Sequence, residues 1–169
     1  MKKVLFLCVG NSCRSQMAEG FARRYGSDVM QPSSAGFAPA SIVQPLTKKV
    51  MEAKNINIDA QSPKSLDSVP VRTFDLIVNM SGRPLPRKVP IAVRNWSIED
   101  PIGAPEEVYV AVRDQIEMQV MMLILELRRE AEKAARETSS ERDMELPKTK
   151  TRLQASRTRN RAKNEPANR

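Results

Sequence analysis

The chain has 169 residues, with 28 Lys or Arg against 20 Asp or Glu, two cysteines and no histidine. That length suits one ordinary domain with an extension, and two cysteines make no disulfide framework, so a reducing, cytoplasmic setting is expected. Without histidine there is no Ser-His or Cys-His pair and no histidine zinc site, so proton transfer falls to Asp, Glu, Tyr, Lys or Cys.

The net charge of +8 is unevenly spread. Residues 146–169 carry eight basic groups and one acid, Glu165, so residues 1–145 are nearly neutral. Lys2 to Cys8 reads as a buried strand, because VLFL is apolar throughout rather than alternating. It is too short for a signal-peptide core, and the longest apolar stretch, Val120 to Leu125, is far below the roughly 18 residues of a membrane span. Ser15 to Tyr25 has helical spacing, with Met17, Ala18, Phe21 and Ala22 on one face. Val29 to Ala35 reads as a weaker strand and Pro45 to Lys54 as a helix; Phe74 to Met80 and Ile91 to Trp96 are two further strands. Pro105 then opens a long helix, with Glu106 and Glu107 in its first turn. Its stripe runs through Val108, Ala111, Val112, Ile116, Val120, Leu123, Ile124 and Leu127. Past about residue 128 that helix has nothing to bury, and 139–169 reads as a basic, disordered tail following a domain over 1–138. Alternating strands and helices predict an α/β fold, a three-layer sandwich whose central four-stranded parallel sheet is flanked by helices. Ligands bind such sheets beyond the strand C-termini, which is where Cys8 lies.

Both cysteines fall in one loop, CVGNSCRS, between the first strand and the first helix. A catalytic cysteine needs a lowered pKa, and the N–H groups and positive dipole of a following helix supply an anion-stabilising environment. The same end binds phosphate-like anions. Gly10 lets the backbone curl, Asn11 tolerates a left-handed conformation, and Ser15 is placed to reach back to the sulfur. Arg14 brings a planar fork suited to two oxygens of phosphate or arsenate. Residues Val9, Gly10, Asn11, Ser12, Cys13, Arg14 and Ser15 are therefore the expected oxyanion mould, with Cys8 as nucleophile. No metal or cofactor is expected.

The loop CVGNSCRSQMAEG resembles that of the low-molecular-weight protein tyrosine phosphatase family, which includes a branch of arsenate reductases. SAG at 34–36, FDLIVNM at 74–80, Trp96-x3-Asp100-Pro101 and VRDQI at 112–116 extend the likeness from residue 2 to about 128. The resemblance implies a four-stranded parallel sheet, Cys8 as nucleophile, Arg14 as oxyanion clamp and Asp100 as general acid. Independently, a histidine-free enzyme needs a carboxyl acid for its leaving group, and Asp100 lies in a turn stiffened by Pro101. The likeness also favours Cys13 as a redox partner that traps oxidised Cys8 in a disulfide. Glu19 resembles a residue that braces the loop or holds a cation in reductases, although its helix position reads as exposed.

The branches differ in chemistry. In a phosphatase, Cys8 takes the phosphoryl group of a phosphotyrosine-like ester and water releases it. This is the first reading. In an arsenate reductase, a second thiol must release arsenite. Thioredoxin-linked members carry two further cysteines after the FDLIV-type strand, where this chain has NMSGRPLPRKVP. The alternative is thus an arsenate reductase served by an external thiol: glutathione, mycothiol or a redoxin. Gln16 after CRS and Ile102 after the DP pair favour it, since many tyrosine phosphatases have proline and an aromatic there. Trp96 and Tyr109 are the nearest rings for an aromatic slot. A third reading is a weakly catalytic oxyanion-binding protein whose tail contacts nucleic acid or acidic surfaces through charge.

Overall fold

The computed structural model describes residues 1–144, with side chains to residue 139. Its elements are β1 (Lys2–Cys8), α1 (Arg14–Tyr25), β2 (Met30–Gly36), α2 (Pro45–Glu52), β3 (Leu76–Asn79), β4 (Ala92–Asn95) and α3 (Glu106–Met144). Two 3-10 turns, Leu66–Ser68 and Val71–Thr73, precede β3. The chain divides into Met1–Lys133, which holds the sheet, and Ala134–Arg169, of which 134–144 is described and helical. The expected boundary at residue 138 falls inside α3, and the rest of the expected tail, 145–169, lies outside the described residues. Among the described residues no helix is long and apolar enough to cross a membrane.

All four strands are parallel, in the order β2-β1-β3-β4. β1 and β3 are the two interior strands, and both are buried on both faces, β1 from Val4 to Cys8 and β3 from Leu76 to Asn79. β2 is an edge strand, which explains how Pro32 sits in it: one side of an edge needs no N–H. β4, the other edge, is exposed at all four positions, and its Arg94 forms an ion pair with Glu126 of α3.

The side-chain alternation of β1 divides the core. Val4 and Phe6 face a cluster built with Met17, Ala18 and Phe21 of α1, Val50 and Met51 of α2, and Ile116, Val120, Leu123 and Ile124 of α3. Leu5 and Leu7 face a smaller cluster with Ala35, Ile77, Leu66 and Val71. The sandwich therefore has unlike outer layers, α-helices on one face and the two 3-10 turns on the other. The turns escaped the sequence because three-residue elements have no periodicity to read. The register Leu7↔Asn79 and Cys8↔Gly36 brings the ends of β1, β2 and β3 level, so that the loop after β1 emerges between two neighbours.

Candidate functional site

Residues 8–14 form a loop that curls from the end of β1 to the start of α1. Every carbonyl from Cys8 to Cys13 is engaged on the outside of the curl. Cys8 O accepts from Phe37 N (3.4 Å), Val9 O from Ala38 N (2.9 Å), and Gly10 O from Ala40 N (2.9 Å). Asn11 O accepts from the Gln16 side chain (2.8 Å), Ser12 O from Gln44 N (2.9 Å) and Thr47 Oγ1 (3.3 Å), and Cys13 O from Met17 N (3.0 Å). A chain whose carbonyls all turn outward presents its amides to the inside, which makes an anion-binding nest. Cys13 caps α1 without a side-chain hydrogen bond, and no acid occupies the first turn, so the dipole end is left positive.

Asn11 holds this shape. Its φ of 47° is a left-handed conformation that asparagine tolerates. Both amide hydrogens are used, on Ser15 Oγ (2.8 Å) and Ser34 Oγ (2.9 Å), while its Oδ1 accepts from Lys64 N (2.8 Å). Ser15 Oγ in turn lies 2.9 Å from Cys8 Sγ, as the sequence anticipates. Ser34 donates to Glu19 Oε2 at 2.5 Å. Glu19 is only 2 % exposed and is also held by Arg23, correcting the expectation of an exposed helix glutamate. It braces the loop because partners converge on it from α1, β2 and Lys64, whose Nζ is 3.9 Å away.

Arg14 is buried and almost fully committed. Its Nη1 donates to Met80 O (2.6 Å) and Ile98 O (3.2 Å), and Nη2 donates to Asp100 Oδ2 (2.7 Å). Two buried polar atoms, Arg14 Nε and Ser12 Oγ, have no hydrogen-bond partner among the described residues. Nη1 thus anchors the guanidinium, Nη2 ties it to Asp100, and Nε is the nitrogen left without a partner to meet an oxyanion, with the second Nη2 hydrogen beside it. Asp100 is 44 % exposed at the mouth, its other oxygen 3.3 Å from Ile102 N. The structure therefore brings together Cys8, Arg14, Ser15 and Asp100.

Cys13 belongs to the core cluster beneath the loop. It is buried beside Thr47, and burial pushes its thiol up to about 12, an effect that the Thr47 hydrogen bond only partly offsets. The two candidate rings differ in exposure, Trp96 being half-buried and Tyr109 buried. Trp96 packs on Phe6 with centroids 6.0 Å apart, and Tyr109 is buried, its phenol raised by that burial and by nearby Cys13 and Asp100. The exposed side chain beyond the Asp-Pro pair is Ile102, 49 % accessible. Sequence reasoning missed Ser34, Thr47 and Lys64, and the carbonyls of Met80 and Ile98. SAG at 34–36 was the signal for Ser34; a backbone carbonyl leaves none.

A parallel sheet with a Cys-x5-Arg curl at the end of an interior strand is the arrangement of the cysteine-dependent phosphatase class. The chain belongs to the low molecular weight phosphotyrosine protein phosphatase family, whose model matches residues 3–133. It is 35 % identical to a glutaredoxin arsenate reductase of Synechocystis over 75 % of this chain and 99 % of that protein. A solved arsenate reductase in a phosphate-binding state matches with a TM-score of 0.68 and 35 % identity, over 75 % of this chain and 99 % of the other. The YwlE arginine phosphatase of Geobacillus stearothermophilus matches with a TM-score of 0.64 and 25 % identity, over 77 % and 95 %.

Proposed function

We propose that this protein is an arsenate reductase that uses an external thiol. The observation that carries this reading is the likeness to a named arsenate reductase across 99 % of that protein's length. The rim supports it: the exposed residue after Asp100-Pro101 is an isoleucine rather than an aromatic, and Tyr109 is buried.

The residues act in sequence. The inward amides, the Nε–Nη2 edge of Arg14 and the Ser12 hydroxyl hold arsenate with arsenic facing Cys8 Sγ. Cys8 attacks arsenic while Asp100 delivers a proton to the departing oxygen, which leaves as water. Ser15 supports the sulfur, and the outer side chains Asn11, Ser34 and Glu19 hold Ser15 in place. Arsenic is then released by a second sulfur. Cys13 is poorly suited to supply it, because a thiol held near 12 is almost wholly protonated at neutral pH. There is no third cysteine, so the second sulfur comes from outside. Overall, arsenate and two thiols yield arsenite, a disulfide and water.

The family model's description and the arginine phosphatase neighbour favour a second reading, phosphate-ester hydrolysis through a phosphocysteine at Cys8. One preparation assayed with arsenate plus glutathione, a mycothiol-type thiol or a redoxin, and separately with an aryl phosphate, separates the two. Arsenite formation that depends on added thiol is the expected result. Phosphate release without thiol, and no arsenite with any donor, would replace reduction by hydrolysis.

A further inference from the structure

The segment between β3 and β4 leaves the sheet beside the site. Asn79 pairs with Leu7, and Met80 N donates to Leu7 O at 2.7 Å, so the segment begins one strand spacing, about 4.8 Å, from the end of β1. It turns back at once through Gly82, at φ +72°. Asn79 Nδ2 and Ser81 Oγ both donate to Arg83 O, at 2.7 and 3.1 Å, and Arg83 N donates to Ser81 Oγ at 3.0 Å. The backbone of Arg83 is thereby fastened to the strand end next to Cys8.

The charge on this segment is of one sign. Between Met80 and Ile91 stand Arg83, Arg87 and Lys88, with no acid. Leu85 and Val89 pack into the smaller core cluster while the three cations face solvent. Pro84, Pro86 and Pro90 fix φ along the run, so little backbone freedom remains to be lost when the cations are engaged. Arg87 lies 3.8 Å from Asp67; among the described residues neither Arg83 nor Lys88 has an acidic partner. Across the curl, the segment hydrogen-bonded to the loop lies within a run from Val29 to Thr47 that has no charged residue. Of these two sides of the mouth one is neutral and one is basic, while the acid at the mouth, Asp100, is paired with Arg14.

We infer that this basic segment recognises the carboxylates of an anionic low-molecular-weight thiol, a tripeptide of the glutathione kind, whose sulfur reaches Cys8. This rests on the reduction reading. A tripeptide spans about 10 Å when extended, enough for a carboxylate to meet Arg83 across one strand spacing while the thiol lies at the curl. A redoxin fits less well, because this segment offers no exposed large apolar side chain to build the apolar centre of a protein interface. In the step served, the thiol's sulfur attacks Cys8 Sγ and the Cys8–arsenic bond breaks. Its electron pair stays on arsenic, which leaves as arsenite, and Cys8 is left as a mixed disulfide with the thiol. A second thiol molecule attacks that disulfide, freeing Cys8 and releasing the oxidised dimer.

The test compares arsenite formation by the full-length protein with glutathione, with glutathione diethyl ester and with 2-mercaptoethanol, each at matched thiolate concentration. Glutathione is expected to exceed its ester in kcat/KM for thiol, and added salt should narrow the gap. Arg83→Ala should cut the glutathione-to-ester ratio about five-fold, the size of one exposed charge pair. Arg83→Glu with Lys88→Glu should cut it further or invert it. Equal efficiency of acid and ester in the wild-type protein, an unchanged ratio in the charge-reversed variant, or turnover only with a redoxin would each overturn the assignment while leaving reduction intact. Failure of all three thiols and of a redoxin to yield arsenite would remove the reduction reading and this inference with it.

Discussion

Replacing Gly36 with alanine would place a methyl group where β2 meets the curled loop. A Cβ there would lie 2.7 Å from Val9 O, 2.8 Å from Asn11 N and 3.0 Å from Asn11 Cβ. Ordinary contact begins at 3.4 Å, so the methyl is about 0.7 Å too close to a carbonyl. Neither side can simply retreat. Gly36 is fixed by its register with Cys8 and by its N–H on Lys64 O at 2.9 Å, and Val9 O is held by Ala38 N. The strain therefore falls on the loop, at an amide that belongs to the nest. Overpacking of this kind costs about 1–3 kcal/mol, which lowers Tm by roughly 3–12 °C in a domain of this size. Losing one charge-assisted hydrogen bond to an anion weakens binding by about ten-fold or more. Thermal melts with and without inorganic phosphate, together with a calorimetric phosphate Kd, measure both effects. A Gly36→Ala protein with wild-type Tm and wild-type phosphate affinity would refute the close approach and the account of the loop built on it.

Cys8→Ser should abolish turnover while phosphate still binds, because the amide mould is unchanged; Arg14→Lys should lower kcat/KM by about 10²-fold or more, since one ammonium cannot both anchor to Met80 O and Ile98 O and offer a fork. Turnover comparable to wild type in either variant contradicts the assigned role. With aryl phosphates as probes, Asp100→Asn should slow poor leaving groups by about 10²–10⁴-fold and good ones far less; an even loss across leaving groups would instead mark the Asp100–Arg14 pair as structural. Mild peroxide should turn Cys8 into a sulfenic acid, and the redox role read for Cys13 then requires its buried, protonated thiol to displace water from that sulfur; the disulfide, reversible by dithiothreitol, is expected to form slowly at neutral pH and faster as pH rises. Mass spectrometry finding only sulfinic or sulfonic Cys8, with Cys13 free, would sink that role. Because burial raises the Cys13 thiol from 9.0 to about 12, the unfolded chain releases this proton first, so stability is intact below pH 9.0 and lost as pH rises towards 12. Urea unfolding should show about 2 kcal/mol more loss between pH 8 and pH 10.5 in the wild-type protein than in Cys13→Ala; parallel slopes would show that the thiol is not buried as described.

The sequence by itself determined what is local. An unbroken apolar run made β1 an interior strand, the 3.6-residue spacing placed α1 and α3, and Cys8, Arg14 and Ser15 lay close enough in the chain for one strand–loop–helix turn to gather them. The Asp-Pro pair was legible too, though mainly through resemblance: Asp100 reaches Arg14 across 86 positions, and no spacing rule covers that distance. What tertiary structure alone decided is how the loop is held and what surrounds it. Ser34, Lys64, Met80 O and Ile98 O come from four separate segments whose meeting depends on strand order and register. Glu19 reads as a solvated helix residue because an apolar stripe excludes carboxylates; it is buried because Ser34 and Arg23 satisfy it from two elements. The same holds for the cations after β3. Their number is plain in the sequence, but only the parallel pairing of β3 with β1 sets them beside the cysteine, since side-chain chemistry is written residue by residue and proximity is created by folding.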